Sequence, residues 1–525
     1  MRHYLLLLFI GFALCFTSCR EDFEFEQSTG SLEFSRDTVY LDTVFTNIGS
    51  STYTLKVYNR SNKDIKIPSI KLGEGEQSKY RLMVDGQPGK VFSDVELMAK
   101  DSMFIFIETT IDYTEYANNE TTFLYNDKIL FDSGTKEQKV ELVTLVQDAV
   151  FIKPDRPLPD AMKEKLTING QDTELFGHEL STPEELHWTN EKPYVIYGYA
   201  LVPNNKTLTV DAGARVHFHG SSGLIVDKTG SININGTLSS TEELENEVIF
   251  EGDRLEPEFS DIPGQWNNIW LFSGEENNTI EHLTLKNAVI GIYMVSIDND
   301  ETLPKLTINN SQIYNCVNFG VLTVHSVLSG DNLVINNCGQ ASLALTQGGT
   351  YNFKQCTFAN YFGSFNQVPV LINDYYETDD TLFVSDVTAN FDNCILYGSS
   401  NIGMSLENKA GNQIAFKCKF NYCLIKLVDY SNQFKNNPLY PSTGNISDLV
   451  LYHKCKIARS STEDRPDFLD PQNNKLNLGD AQGGANGAAD VTIAALVPND
   501  ITGTPRNTTA TPDIGAYEST TFTED

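Results

Sequence analysis

One short phrase recurs through the middle of the chain. It reads Leu285-Lys286-Asn287-Ala288, Ile308-Asn309-Asn310-Ser311, Ile335-Asn336-Asn337-Cys338, Phe353-Lys354-Gln355-Cys356, Phe391-Asp392-Asn393-Cys394 and, more loosely, Phe420-Asn421-Tyr422-Cys423. Each copy is an apolar residue, a polar residue, an amide (Tyr in the last copy) and a small or sulfur-bearing residue. The copies begin 23, 27, 18, 38 and 29 residues apart. Recurrence in the twenties means stacked supersecondary units, with the longer gaps as rim loops.

Apolar residues at period two, such as Leu283 and Leu285 or Leu333 and Ile335, mark short strands. Each unit is too short for a strand and a covering helix, so successive strands pair in parallel, coil upon coil, as a parallel β-helix. One corner then stacks its amides, Asn287, Asn310, Asn337 and Asn393, into a ladder that tolerates bent backbone. The next position, with Cys338, Cys356, Cys394 and Cys423, is small enough to turn inward, where a free thiol acts as a small hydrophobe.

The chain has 525 residues, room for two or more domains, and is 40% hydrophobic and 21% charged, as folded proteins are. A formal charge of −32 excludes nucleic acid as a partner, because that binding needs basic surface. It also disfavours direct docking onto polyanions.

Met1-Arg2-His3 followed by the apolar run Tyr4 to Phe16 reads as a secretion signal, too short to span a bilayer as a helix. It ends in Phe16-Thr17-Ser18-Cys19, which resembles the lipobox of bacterial lipoproteins, although the strictest pattern has Leu where Phe16 stands. The resemblance implies cleavage before Cys19, lipidation of Cys19 and membrane tethering. The acidic stretch at 20–27 resembles the surface-export signals of some Gram-negative lipoproteins. The expected location is the outer membrane, facing the exterior.

Residues 30–149 carry eight short candidate strands: Leu32–Phe34, Val39–Phe45, Thr52–Tyr58, Ile65–Leu72, Tyr80–Val84, Met103–Thr109, Thr122–Tyr125 and Val140–Val146. That density predicts a β-sandwich. The phrases "YTLKVYNRSNKDIKI", "YRLMVDG" and "DSMFIFIE" resemble bacterial Ig-like modules. The stretch has no Cys or His and serves best as a spacer.

Residues 150–192 read as a Pro-rich junction or cap, with a short helix near 160–165. From Tyr194, "YVIYGYALVPNNKTLTVDAGARVHFHGSSGLIVDKTGSININGTLSS" alternates strictly between Gly punctuation. It resembles the opening turns of right-handed parallel β-helix proteins of pectin-lyase-like fold, the resemblance running from 194 to about 430. The expected fold class is therefore all-β: an Ig-like sandwich, then a right-handed parallel β-helix over 193–430. Residues 431–525 form coil and a cap; Asp513-Ile514-Gly515-Ala516-Tyr517-Glu518 resembles the terminal phrase of bacterial secreted β-helix proteins and is expected to finish the solenoid. A large solenoid does not need disulfides, so its seven cysteines are expected as reduced thiols, mostly buried, and no Cys/His spacing fits zinc.

Functional residues are expected where the phrase is interrupted. His217 and His219 share one strand face and are read as outward and wet; no third ligand places a metal there. The loop 253–270 offers Trp266, either stacking on a sugar or packing the loop onto the first coils. The widest gap, between Phe353 and Phe391, holds Tyr361, Phe362, Asp374, Tyr375, Tyr376, Asp379 and Asp380, a ligand-contact candidate on a rigid frame. The motifs of polygalacturonases and the calcium-binding Asp set of pectate lyases are both missing from the sequence. The reading is a non-catalytic glycan-binding or scaffold protein without a cofactor or metal, engaging a polysaccharide or another surface protein. The alternative is a lyase or glycoside hydrolase with a divergent site.

Overall fold

The computed structural model describes residues 24–522 apart from 117–120, 133, 156–163, 273, 275–277, 296–302, 365, 379–380, 442–449, 461, 463, 481–482 and 507–510. The signal segment with Cys19, the pair Asp379 and Asp380, and most of the expected short helix lie outside the described residues. The chain divides into two compact units, Met1–Asp148 and Ala149–Asp525.

The first unit is a two-sheet sandwich. One sheet runs Glu26–Gln27, Ile65–Leu72, Thr122–Phe131, Gln138–Gln147 and Thr38–Phe45, with Val91–Leu97 also beside Ile65–Leu72. The other runs Glu33–Phe34, Tyr53–Tyr58, Ser102–Thr109, Tyr80–Val84 and Gln87–Gly89. Alternation sets the inward face: Val140, Leu142, Thr144 and Val146 are buried in one strand and meet Leu55, Val57, Ile105 and Ile107 from the facing sheet. The buried Tyr80 hydroxyl is satisfied by Thr144 at 2.9 Å and the Tyr125 carbonyl at 3.1 Å.

The second unit is a parallel β-helix of three-strand coils. Third strands form an 11-stranded parallel sheet from Val150–Ile152 to Lys456–Ala458. First and second strands join in an 18-stranded sheet, because Phe319–Asp331 and Ala341–Lys354 each run through the corner between them. Rungs thus extend beyond both ends of the expected span of 193–430. The interior is one continuous stack of aliphatic and aromatic side chains. Register aligns Ile308, Gly330, Phe353, Phe391, Phe420 and Tyr452, and the last three rings stack at 5.1 Å with interplanar angles of 14° and 6°.

Register also corrects the single amide ladder expected from the sequence: the phrase occupies two different corners. Asn310, Gln355, Asn393 and Tyr422 lie between second and third strands, in line with His282, Asn332 and Lys454. Asn287 and Asn337 lie at the end of the third strand, in line with Asn315. Positive φ is the common property, from 47° at His282 to 68° at Asn287. Asn enters the left-handed region more readily than most side chains, which explains the amides at both corners. The stacked bonds run within each corner, Asn332 donating to Asn310 at 2.9 Å and Asn337 to Asn315 at 2.6 Å. The residue after each turn points inward: Ala288, Cys316 and Cys338 at one corner, Ser311, Cys356, Cys394 and Cys423 at the other, all buried. All seven described cysteines are free thiols.

The C-terminal segment does not continue the stack as a final coil. It lies along the outer face of the 11-stranded sheet, where Leu476, Leu478, Ala485, Ile514, Ala516 and Tyr517 pack on Val334, Ala359, Ile395 and Leu424. Gly515 N–H donates to the Asn393 carbonyl at 2.9 Å and Ala516 N–H to Thr357 Oγ1 at 3.0 Å. The expected terminal cap is a lateral strap, because the third strands carry apolar outward residues that need cover.

Candidate functional site

Trp266 cannot meet a ligand. It is fully buried, stacked on Phe218 at 4.2 Å and 10°, with Nε1 donating to the Lys286 carbonyl at 2.9 Å. Asp374 is also fully buried, its carboxylate accepting the backbone N–H groups of Lys409 and Ala410 at 2.9 and 3.2 Å. His217 is buried beside Glu251, not wet, and burial lowers its pKa; His219 is the exposed member, held by Asp253 at 2.7 Å.

Tyr375 and Tyr376 sit on a hairpin, Tyr375–Glu377 against Leu382–Val384, inserted into the widest gap. Tyr376 is 55% exposed and stacks on Phe383. Tyr375 donates to Glu407 at 2.8 Å and lies under Lys409; the Glu407 bond and burial push its pKa up to about 12. It lines a cavity of about 580 Å³ with Glu407, Lys409 and three Asn side chains, where Glu407 is held by the Tyr375 hydroxyl and Lys409 by Glu377.

The larger opening, about 670 Å³, lies where the other half of the gap meets two further loops. Its walls are 363, 364, 366–368, 399–402, 428–431, 433 and 434, in segments that follow the third strands Thr357–Asn360, Ile395–Gly398 and Leu424–Lys426. The cleft opens where the described residues 427–441, after Leu424–Lys426, make no first strand. The sequence Asp429-Tyr430-Ser431-Asn432-Gln433-Phe434-Lys435-Asn436-Asn437-Pro438 is too rich in turn formers to extend. Asp429 instead folds it, accepting the N–H groups of Gln433 and Phe434 at 2.9 Å each. Phe434 packs on Tyr440 at 4.3 Å, and the Leu406 N–H donates to the Tyr440 hydroxyl at 2.9 Å, in place of a strand partner.

The lining combines an apolar floor of Val368, Ile402, Val428 and Phe434 with a polar rim. The side chains of Asn366, Asn401, Tyr430, Ser431 and Gln433 make no hydrogen bond to another described residue, and Tyr430 is 78% exposed. Buried Gln367 is held by Ser399 and by the Ser364 N–H, which fixes the wall. Among the described residues the lining contains one charged side chain, Asp429, already committed to the turn. Such a surface offers amide and hydroxyl groups plus an aromatic face to a neutral, polyhydroxylated molecule. Sequence reading missed residues 399–434; the signal was the Ser/Asn-rich stretches directly after two third strands.

Two other places gather polar or aromatic side chains. A hollow of about 490 Å³ under the hairpin Lys165–Ile168 and Gln171–Glu179 holds Trp270 stacked on Tyr293 at 5.7 Å, with mainly apolar walls edged by Gln171, Asp172 and Thr173, and Trp270 Nε1 unpaired among the described residues. Asp155, Glu164 and His178 bring ligand atoms within 4.8 Å of one another. His178 is engaged by Glu185 at 2.9 Å, outside the trio, and Glu164 accepts from the Asp155 N–H at 3.1 Å, so we assign no metal to it.

No protein-family model matches the chain, and no curated protein matches it. Among solved structures, the catalytic unit of a GH87 α-1,3-glucanase from Streptomyces thermodiastaticus aligns over 77% of this chain and 88% of that one, at 7% identity and TM-score 0.22. The periplasmic chaperone SfaE aligns over 22% of this chain at 15% identity and TM-score 0.15, and the chain spans 57% of its length. A family 123 glycoside hydrolase from Clostridium perfringens aligns over 22% of this chain and 26% of that one, at 11% identity and TM-score 0.15. None of these likenesses carries an argument about function.

Proposed function

We propose that the protein is a lipid-anchored surface protein whose β-helix binds a neutral glycan without turning it over. The observation that carries the reading is the cleft of about 670 Å³ with five polar side chains that bond no other described residue around an apolar floor. Amide and hydroxyl groups supply directional bonds to sugar hydroxyls, and the exposed Tyr430 ring offers a face for a pyranose. Glycoside hydrolysis usually takes two carboxyl groups flanking the bond, whereas among the described residues this lining holds one, Asp429. Cys19 supplies the anchor and the sandwich the spacer in this account.

A glycan array probed with the purified chain, with reducing-end and unsaturated-product assays on every bound polysaccharide, tests it. Binding to neutral glycans without product supports the reading; turnover of any of them overturns it. Replacing Cys19 with Ser is expected to abolish incorporation of labelled fatty acid.

A further inference from the structure

Four thiols stack at the corner between second and third strands: Cys356, Cys394, Cys423 and Cys455 follow one another in register. The first three are fully buried; Cys455, on the last rung, is partly exposed. We infer that Cys423 and Cys455 form a redox-reactive pair, in which Cys455 is the entry thiol and Cys423 the resolving thiol.

The geometry is carried by the ladder. Leu424 pairs with Lys456, so the preceding residues face each other across adjacent rungs. Neighbouring strands lie about 4.8 Å apart, inside the span of about 4.4–6.8 Å that a disulfide bridges. The two thiols donate to carbonyls of successive rungs, Cys423 to Phe391 at 3.2 Å and Cys455 to Phe420 at 3.1 Å. Reactivity follows position: contact with the Cys423 thiol lowers the Cys455 pKa, whereas burial raises those of Cys356, Cys394 and Cys423.

The chemistry is thiol–disulfide exchange with an external disulfide. The Cys455 thiolate attacks one sulfur and expels the other half as a thiolate. Cys423 gives up its proton, attacks the mixed disulfide at Cys455 and expels the second half. The two protein thiols lose two electrons and two protons, which the external disulfide takes up as two thiols. The loop closed by the new bond contains 428–434, one wall of the glycan cleft, so oxidation lowers the entropy this loop gains on local opening and tightens the wall in that sense. The effect on ligand affinity rests on the cleft reading; disulfide formation and wall tightening do not.

The test uses the full chain, reduced and then incubated with oxidised glutathione, alkylated without reduction and mapped by mass spectrometry. Of the seven described cysteines, five are expected to remain as thiols and one bond to link Cys423 to Cys455. Cys418→Ala should keep the bond and Cys455→Ala should lose it. Amide exchange across 428–441 should slow on oxidation by about tenfold. A free or singly glutathionylated Cys455, a bond between any other pair, or unchanged exchange overturns the proposal.

Discussion

Arg506 meets Glu518 at 2.8 Å with its own side chain wholly shielded from solvent. Its guanidinium also donates to Asn332 at 2.8 Å and to the Gly515 carbonyl at 3.1 Å. One side chain of the strap thus holds its closing phrase and a left-handed corner of the solenoid together. Arg506→Ala leaves the largely shielded Glu518 without its partner and should cost about 3 kcal/mol in chemical denaturation. Adding Glu518→Gln to Arg506→Ala should recover part of that loss; equal stability of the single and double variants would contradict the assignment.

The turn at 181–185 should soften in acid. Burial acts to raise the Glu185 pKa, but bonds from the Thr182 and Ser181 N–H groups, at 2.9 Å each, and from His178 outweigh it and hold the carboxyl at about 2. The folded value lies below the ordinary 4.5, so the stabilisation is complete above 4.5 and is lost as pH falls toward 2. Amide exchange at 181–188 should accelerate across that window in the native chain. Glu185→Gln should exchange faster already at neutral pH and lose the dependence.

The phrase that organises the chain predicts unequal costs at equivalent corners. Asn393 has φ 52° and bonds the Asp490 backbone twice, at 2.8 and 3.0 Å. Asn393→Ala loses both bonds and keeps the left-handed backbone, an expected loss of about 2–4 kcal/mol. Asn393→Gly should cost less, because only the bonds are lost. At Tyr422, φ 50°, a bulky residue occupies the same kind of corner, and Tyr422→Asn should be neutral or stabilising by up to about 1 kcal/mol. Urea denaturation of the three variants ranks them.

The solenoid was legible because its signal is repetitive: apolar period two, an amide able to adopt positive φ and a small inward residue. That signal did not distinguish two corners of one coil, since Asn337 and Asn393 satisfy the same backbone demand in different places. In the sandwich, Val91–Leu97 escaped notice because its apolar Val91 lies outward and exposed. Trp266 and Asp374 have the chemistry of ligand contacts, yet their neighbours consume it, Trp266 through Phe218 and Asp374 through two backbone N–H groups. The cleft arises from a strand that fails to form at 428–441, and its lining comes from three loops far apart in the chain. Local patterns carry no signal of that convergence.

The central claim is that the cleft of Asn401, Tyr430 and Gln433 binds a neutral glycan. Calorimetric titration of the best array ligand into the native chain, Tyr430→Ala and Asn401→Ala decides it. Each side chain is exposed, so neither variant should change the melting temperature. Each should weaken binding by about tenfold, the worth of one stacking or hydrogen-bonding group. Unchanged affinity in both variants, with folding intact, would contradict the account.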